Sequence, residues 1–234
     1  MKKMKQEIII FGTGEMAELA LYYFTHDSDY KVVAFTCDDN YINADNFCNL
    51  PLIPYSMIAE KYPATKYKAH VALSYMKLNK NRKEKYFLMK DQGYQLVSYI
   101  STKSVSWPDL THGDNCFILE NQTIQPNVKI GDNVMIWSGN HLGHSCQIHN
   151  HAYLASHICL SGHTIIGDES FIGVNVAVKD FTKIGKRVFI TMGANVVKDV
   201  LDDSVVLAAQ SNVLSSEDPK AVKIINKFFR IFEE

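Results

Sequence analysis

Histidine side chains are concentrated in one stretch of this 234-residue chain. Six of the nine histidines lie between residues 141 and 163, and they are His141, His144, His149, His151, His157 and His163. An imidazole exchanges its proton near neutral pH and also binds transition metals. Such a stretch therefore suits either general acid–base catalysis or metal coordination. The choice between the two depends on the elements that carry the histidines.

A second group of candidate residues lies near the N-terminus. The apolar segment Glu7–Phe11 is followed by the run Gly12-Thr13-Gly14, and Asp38 and Asp39 follow the next apolar segment. Glycines between a strand and a helix let a phosphate approach the backbone, and the helix N-terminus offers unpaired N–H groups. An acid after the second strand can accept hydrogen bonds from a ribose or a base. We expect nucleotide-type binding here, with a tight turn and two solvated acids as the alternative reading.

The first hundred residues alternate short apolar runs with helical patterns. This alternation indicates βαβ units, and so a short, Rossmann-like parallel sheet in an α/β domain. A nicotinamide cofactor is not expected, because the sheet is short and no second nucleotide-binding half follows. The predicted strands are Glu7–Phe11, Lys31–Thr36, Ala69–Ser74 and Gln95–Ile100, and the predicted helices are Glu15–Phe24 and Asn79–Lys90.

From His112 onward the chain repeats with a period of six residues. A large aliphatic residue opens fourteen consecutive hexads, and the fifth position is small or β-branched in most of them. This pattern is typical of a parallel β-helix, in which three hexads make one coil. Residues 112–201 therefore predict a left-handed β-helix of about five coils. The aliphatic positions are Ile118, Ile124, Ile130, Ile136, Leu142, Ile148, Leu154, Leu160, Ile166, Ile172, Val178, Ile184, Ile190 and Val196.

The repeat bears directly on the histidines. Neighbours on the same face of successive coils are eighteen residues apart, and no two of the six histidines have that spacing. We therefore expect no metal site within one chain, although a zinc site shared between subunits stays open. The outward positions hold Met135, Trp137, Phe171 and Phe189. These large apolar residues predict a buried flank, which we interpret as a subunit contact.

Composition narrows the function further. The chain has 24 basic and 25 acidic residues, so it lacks the basic surface of a nucleic-acid-binding domain. Its five cysteines form no Cys-x-x-Cys pair, which favours a reducing, cytoplasmic location. No apolar run is long enough to cross a bilayer, so no stable membrane insertion is expected.

Three domains are predicted from these patterns. Residues 1–105 form the nucleotide-binding domain, residues 106–212 the β-helix, and residues 213–234 a C-terminal amphipathic helix. That helix has apolar residues on one face and basic residues elsewhere. We expect its apolar face to dock on the same chain or on a partner subunit rather than on a membrane. The apolar residues are Ala221, Ile224, Ile225, Phe228, Phe229 and Phe232, and the basic ones are Lys220, Lys223, Lys227 and Arg230.

The order of a short nucleotide-binding domain and uninterrupted hexads resembles the sialic acid O-acetyltransferase family. This family includes the N-acetyltransferases of nucleotide-linked 4-amino sugars in bacterial glycan synthesis. The resemblance covers about residues 7–210 and is strongest at Leu142-Gly-His144-Ser-Cys146-Gln-Ile148, and it continues through Leu160-Ser-Gly162 and Ile166–Val174. It implies a homotrimer that holds acetyl-CoA between adjacent β-helices and a nucleotide-linked amino sugar in the N-terminal domain.

The resemblance also implies roles for individual residues. His144 would be the general base, and the N–H of Gly162 would stabilise the oxyanion. Val174 and the turn Met192-Gly193-Ala194 would line the pantetheine of acetyl-CoA. The residues Gly12, Thr13, Gly14, Asp38 and Asp39 would hold the nucleotide, and His141 would contact substrate. Two positions depart from the family pattern: Ser145 replaces an acid and Tyr153 replaces a second histidine, so His141 or His157 could assist His144.

Three alternatives remain at this point. The acceptor could be the hydroxyl group of a free sugar such as a sialic acid, since amine and hydroxyl acceptors need the same base and oxyanion donor. The chain could be a trimeric metalloenzyme, as the gamma-class carbonic anhydrases are. It could also be a non-catalytic trimeric scaffold or sugar sensor.

Overall fold

In the computed structural model, which describes residues 5–229, the chain begins with a five-stranded sheet. Its strands are β1 (Gln6–Phe11), β2 (Tyr30–Cys37), β3 (Asn46–Phe47), β4 (Leu50–Pro54) and β5 (Lys68–Val71). They lie in the order β3-β4-β2-β1-β5, and all are parallel except β3. The predicted Rossmann-like domain is confirmed. Strand β4 was not predicted, because Pro51 and Pro54 lack the N–H group that a sheet ladder uses.

Two long helices cover opposite faces of this sheet. Helix α1 (Glu15–His26) packs on the side chains of Ile8 and Ile10, whereas α3 (Lys80–Asp91) packs on those of Ile9 and Phe11. This division follows from the alternation of side chains along β1, which places successive residues on opposite faces. The short helix α2 (Ile58–Lys61) connects β4 to β5.

The predicted β-helix is also confirmed, and each of its coils contributes one two-residue strand to each of three sheets. Strands eighteen residues apart are paired, and the opening aliphatic residues and small fifth residues of the hexads form one continuous core. The strands are β6 (Tyr99–Ile100), β7 (Thr111–His112), β8 (Phe117–Ile118), β9 (Thr123–Ile124), β10 (Lys129–Ile130), β11 (Met135–Ile136), β12 (His141–Leu142), β13 (Gln147–Ile148), β14 (Tyr153–Leu154), β15 (Cys159–Leu160), β16 (Ile165–Ile166), β17 (Phe171–Ile172), β18 (Ala177–Val178), β19 (Lys183–Ile184), β20 (Phe189–Ile190), β21 (Asn195–Val196) and β22 (Val205–Val206).

We call the three sheets I, II and III in chain order. Sheet I holds β6, β8, β11, β14, β17, β20 and β22; sheet II holds β9, β12, β15, β18 and β21; sheet III holds β7, β10, β13, β16 and β19. A corner between two sheets is named by both, as in corner II/III. From residue 112 to residue 195, the fourth residue of each hexad has a positive φ at these corners, as at Asn133 (φ 55°). Asparagine and glycine adopt this conformation most readily, which explains their frequency in the repeat.

The segment predicted as a fourth N-terminal strand, Gln95–Ile100, is divided between the two domains. Its first part hydrogen-bonds to Ala69 of β5, and its last two residues form β6, which pairs with β8 of the β-helix. The β-helix ladder therefore begins at Tyr99, on the N-terminal side of the predicted boundary at residue 105. The segment Gln95–Ile100 thus belongs to both domains.

The N-terminal domain covers the outer face of sheet I. Phe24 of α1 packs with Tyr99 and Phe117, and Met135 is buried in the same cluster. Met135, Trp137 and Phe171 do form part of a buried flank, but the cover is the domain of the same chain. The prediction is wrong for Phe189, which is exposed. These residues therefore carry no argument for a subunit contact, and that interpretation is corrected.

Helix α4 (Pro219–Phe229) follows a long exposed segment. Ala221 is its one buried residue, while Ile224, Phe228 and Phe229 are exposed. These three residues do not dock on the same chain, so docking on a partner subunit stays a prediction for them. Arg230 and Phe232, which the sequence placed on this helix, lie outside the described residues. Among residues 5–229, no helix has the length and apolar character needed to cross a bilayer.

Candidate functional site

His144 lies in corner II/III, directly after strand β12. Its side chain is exposed, and its backbone N–H donates a hydrogen bond to Oε1 of Gln125 (2.8 Å). The imidazole lies over Gly162 of the next coil, where a Cβ atom would come within 2.6 Å of His144 Nε2. The glycine at position 162 therefore makes room for the ring and leaves it open to solvent.

The backbone of Gly162 has an unused donor. Among residues 5–229, the Gly162 N–H makes no hydrogen bond, as is also true of the equivalent N–H groups of Ser138 and Ser156, whereas those of Asp114 and Asp132 donate to Asp132 and Asn150. An unpaired amide beside an exposed imidazole is a suitable site for a developing negative charge. The predicted pair of His144 and Gly162 is thus brought together by the fold.

A third residue of this corner, His163, was not singled out from the sequence. Its ring makes an edge contact with that of His144 (centroids 4.9 Å apart) and stacks on Phe181 (4.7 Å). Its N–H donates to the carbonyl of His144 (2.9 Å). The signal that could have identified His163 is its distance of nineteen residues from His144. The spacing is nineteen and not eighteen because His144 is the third residue of its hexad, whereas His163 is the fourth residue of the hexad one coil later.

The other two candidate helpers of His144 lie elsewhere. His141 is half-buried on the outer face of sheet II, in register with Thr123 and Cys159. His157 lies in corner I/II, where its ring fills the space beside Gly139. The residue that contacts the ring of His144 is therefore His163.

Tyr153 and His151 belong to the interface between the domains. Tyr153 is buried, accepts a hydrogen bond from Trp137 Nε1 and stacks on Phe171. His151 Nδ1 lies 2.9 Å from the amide nitrogen of Asn133. Burial, with a smaller contribution from the charge of Arg82, lowers the pKa of His151 to about 4. Neither side chain faces corner II/III.

The four residues predicted to line acetyl-CoA occupy corner I/II, at the opposite edge of sheet II from His144. Val174 and Met192 are one coil apart, and Gly193 N–H donates to the Val174 carbonyl (2.8 Å). Met192 is exposed, but the side chain of Ala194 is buried in the β-helix core. Only the backbone of Ala194 could therefore line acetyl-CoA, as predicted for this residue. One chain does not bring these residues together with His144.

The glycine-rich run lies at the carboxyl edge of the N-terminal sheet, as predicted. Gly12 has a φ of 135°, and a Cβ atom there would lie 2.6 Å from the carbonyl oxygen of Ala72. Gly14 is the N-cap residue of α1, with no side-chain cap and open space around it. The first turn thus keeps unpaired N–H groups that could receive a phosphate, although Glu15 and Glu18 in the same turn oppose an anion.

The two predicted acids have different partners. Asp38 forms an ion pair with Lys85 of α3 (2.6 Å), and both side chains are partly exposed. Asp39 accepts a hydrogen bond from the N–H of Ser56 (3.0 Å), and hydrogen bonding by the side chain and then by the N–H of Ser56 lowers the pKa of its carboxyl group. Asp38, the residue directly after β2, is thus paired with a lysine of α3. Lys85 was missed because nothing distinguishes it in sequence from the other lysines of α3.

The histidines do not assemble a metal centre in the described part of the chain. Among residues 5–229, no three His, Cys, Asp or Glu side chains have an arrangement that could hold a metal ion.

Part of the chain matches a known family model. The model is described as bacterial transferase hexapeptide (six repeats), and it matches residues 109–143 and 127–157. These residues lie in the first coils of the β-helix and include His144.

Curated relatives match a longer part of the chain. The acyl-[acyl-carrier-protein]--UDP-N-acetylglucosamine O-acyltransferase of Sinorhizobium fredii is 30% identical over 99 residues, which is 39% of this chain and 37% of that protein. The enzyme of the same name from Stutzerimonas stutzeri is 34% identical over 98 residues, which is 39% of this chain and 38% of that protein. The chain thus matches less than two fifths of the length of these relatives.

Solved structures match both domains. The acetyltransferase domain of PglB from Neisseria gonorrhoeae, in complex with acetyl coenzyme A, has a TM-score of 0.77 at 19% identity and covers 90% of this chain and 100% of its own. PerB from Caulobacter crescentus, in complex with CoA and GDP-perosamine, has a TM-score of 0.76 at 20% identity and covers 89% and 97%. WeeI from Acinetobacter baumannii has a TM-score of 0.73 at 22% identity and covers 89% and 100%. A segment of the chain thus matches the hexapeptide model, and the chain has the fold of these solved structures.

Proposed function

We propose that this protein is an acetyl-CoA-dependent N-acetyltransferase that acts on a nucleotide-linked amino sugar in the cytoplasm. The observation that carries the proposal is the pair in corner II/III, where an exposed imidazole lies over a glycine with an unpaired N–H. The glycine-rich edge beside Asp38 supplies the second binding site. The PerB structure, which contains CoA and GDP-perosamine, supports the same combination of ligands.

The reaction is a direct transfer. The amine of the sugar attacks the thioester carbonyl of acetyl-CoA, and the imidazole of His144 takes the proton that the amine loses. The carbonyl oxygen becomes an oxyanion, which the N–H of Gly162 stabilises. The C–S bond then breaks, the amide remains on the sugar, and the protonated imidazole returns its proton to the thiolate of CoA. An imidazole can both accept and donate a proton, which suits this exchange.

Two copies are needed to complete the donor site. His144 and Gly162 lie at one edge of sheet II, and Val174 and Met192 lie at the other. A pantetheine that contacts both sets lies in a groove between corner II/III of one copy and corner I/II of the next. Cyclic association of this kind closes most simply as a homotrimer.

The test is turnover with acetyl-CoA and a panel of UDP-, GDP- and dTDP-linked amino sugars, measured as released CoA thiol. We expect His144→Ala to lower turnover at least ~100-fold, the usual scale for a general base. His149→Ala removes an exposed histidine from corner III/I and should leave turnover within twofold. A loss below threefold in His144→Ala would remove His144 from the mechanism.

A second candidate is O-acylation, which the curated O-acyltransferase relatives favour. The same base and oxyanion donor would then serve a hydroxyl group. Acetylation of a free sialic acid, or acyl transfer from an acyl carrier protein to UDP-N-acetylglucosamine, would support it. The absence of transfer to any amino sugar in the same assay would make it the better description.

A further inference from the structure

The strand order of the N-terminal sheet indicates the direction in which a nucleotide, bound as proposed, would extend. Strand β1 lies between β2, which ends beside Asp38, and β5, where Val71 is hydrogen-bonded to Asn115 of the β-helix. A nucleotide held as proposed has its ribose near Asp38 and its phosphates at the N-terminus of α1. The group carried beyond the phosphates therefore points away from β2, toward the segment that follows β5.

An exposed aromatic ring stands at this place. Tyr75 follows β5, and 47% of its surface is exposed. Its ring makes edge contacts with Tyr153 (centroids 5.2 Å apart) and Phe171 (5.0 Å) of sheet I. The β-helix thus supports the ring from one side and leaves the rest of it open at the carboxyl edge of the sheet.

Two buried side chains hold this segment against the β-helix. Asn79 donates from Nδ2 to the carbonyl of Glu169 (3.0 Å), and Arg82 donates from Nη2 to the carbonyls of His151 (3.2 Å) and Ala152 (3.0 Å). Both are at most 3% exposed. These carbonyls belong to consecutive coils of the β-helix. The segment between β5 and α3, together with the first turn of α3, is therefore hydrogen-bonded to two coils.

The backbone of the segment is itself unusual. Lys77, Leu78 and Asn79 have positive φ values of 53°, 50° and 65°. Three consecutive residues with side chains rarely adopt this conformation, and bulky leucine least readily. Such strained segments are concentrated at ligand sites, where the surrounding contacts keep them in place. Here those contacts come from Asn79 and Arg82.

We propose that Tyr75 is the residue on which the sugar ring of the substrate packs, so that it determines specificity for a pyranose. This proposal rests on the proposed function and adds to it the site of the sugar. A pyranose presents C–H groups on its faces, and a supported aromatic ring offers these groups a large apolar surface with few orientation requirements. The exposed side chain of Met76 extends this surface.

The experiment compares Tyr75→Ala, Tyr75→Phe and wild type as full chains. Tyr22→Ala is the matched control, because Tyr22 is an exposed tyrosine of the same domain that lies on α1. Three quantities are measured: the KM of the sugar nucleotide that wild type accepts, the KM of acetyl-CoA, and the Kd of the bare nucleoside diphosphate. The melting temperature of each variant is recorded alongside.

We expect Tyr75→Ala to raise the KM of the sugar nucleotide about 10-fold, the scale for the loss of one aromatic contact. The KM of acetyl-CoA and the Kd of the bare nucleotide should stay within twofold. Tyr75→Phe should behave as wild type, because the ring and not its hydroxyl group makes the contact. Tyr22→Ala should change none of the three quantities.

Two results would overturn the assignment. If Tyr75→Ala leaves the KM of the sugar nucleotide unchanged, the sugar does not pack on this ring. If the Kd of the bare nucleotide rises as much as that KM, then Tyr75 serves the nucleotide or the fold. Both results leave the proposed function intact, whereas a wild-type protein that acetylates no sugar nucleotide removes the proposed function and this proposal together.

Discussion

At the scale of single residues, the glycines of the β-helix serve two different purposes. A Cβ atom on Gly167 would lie 2.4 Å from the carbonyl oxygen of Gly185, so backbone packing requires this glycine. A Cβ atom on Gly162 would instead meet the distal nitrogen of the His144 side chain (2.6 Å). A side chain can rotate away where a backbone cannot. The same substitution should therefore damage stability at one position and catalysis at the other.

We predict that Gly162→Ala lowers turnover at least ~10-fold, because the methyl group displaces the imidazole from the oxyanion donor. Its melting temperature should stay within about 3 °C of wild type, since less than about 1 kcal/mol is lost. Gly167→Ala should melt at least about 5 °C lower. Turnover assays and thermal unfolding of both variants check this contrast. A stability loss of equal size in the two variants would contradict it.

Two buried histidines make stability depend on pH. Burial lowers the pKa of His70 to about 4, and His151 is lowered to a similar value by burial and then by Arg82. The unfolded chain binds protons on these groups from about pH 6.5, whereas the folded chain does not until about pH 4. Stability is therefore complete above pH 6.5 and falls as the pH drops from 6.5 to 4. By pH 5 each histidine should cost about 2 kcal/mol.

His151→Asn tests this prediction with little change to the structure. Asparagine tolerates the positive φ of this position (63°) and can accept the hydrogen bond from Asn133, as asparagines do in other coils. Denaturant unfolding at pH 7 and pH 5 should show about half of the wild-type pH dependence, because His70 still titrates. His149→Asn, at an exposed position, is the control. An unchanged pH dependence in His151→Asn would show that burial of His151 is not its cause.

At the scale of elements, the C-terminus of α1 anchors the start of the β-helix. The carboxylate of Asp27 accepts hydrogen bonds from the Tyr99 hydroxyl (2.6 Å), from Ser101 Oγ (3.2 Å) and from the N–H and hydroxyl of Thr102. Although its partial burial acts in the opposite direction, these donors hold the pKa of Asp27 down at about 2. The charged carboxylate is thus the form that connects the domains.

We predict that Asp27→Ala destabilises the protein by about 2 kcal/mol, because it leaves several donors without their charged acceptor. Hydrogen exchange should increase first in residues 99–104, where the first coil begins. Asp29→Ala, on the exposed loop next to it, should change neither quantity. The stabilisation by Asp27 is present above about pH 4 and is lost as the pH falls toward 2. Equal exchange rates in Asp27→Ala and wild type would contradict the anchoring role.

The elements themselves were largely predictable from the sequence, since the hexad period and the alternation of β1 are both local patterns. The packing of the N-terminal domain on the β-helix was not predictable in this way. Met135 and Phe171 were correctly expected to be covered, but a local pattern does not say by what. His144 and Gly162 were predicted from the resemblance to a known family, and their spacing of eighteen residues agrees with their contact across successive coils. His163, Lys85 and Tyr75 were missed, because their importance depends on contacts between coils or between domains that no spacing within a segment encodes.

At the scale of the whole molecule, the two ligand sites should respond differently to dilution. The proposed nucleotide site, with Gly12 and Asp38, lies within one chain, whereas the proposed donor site combines corner II/III of one copy with corner I/II of a second. We expect light scattering to give three times the chain mass of 26.5 kDa at assay concentrations. A mass of one chain in the presence of acetyl-CoA would contradict the shared donor site.

Thermal unfolding in the presence of each ligand then distinguishes the two proposed sites. A ligand at 100 times its Kd stabilises the folded state by about 2.7 kcal/mol, so CoA and the correct nucleoside diphosphate should each raise the melting temperature. As the protein is diluted below the concentration at which the copies separate, the shift with CoA should disappear. The shift with the nucleotide should persist, because one chain supplies all of that site. If both shifts persist in the monomer, one chain binds CoA unaided, and the groove between corners is not the donor site.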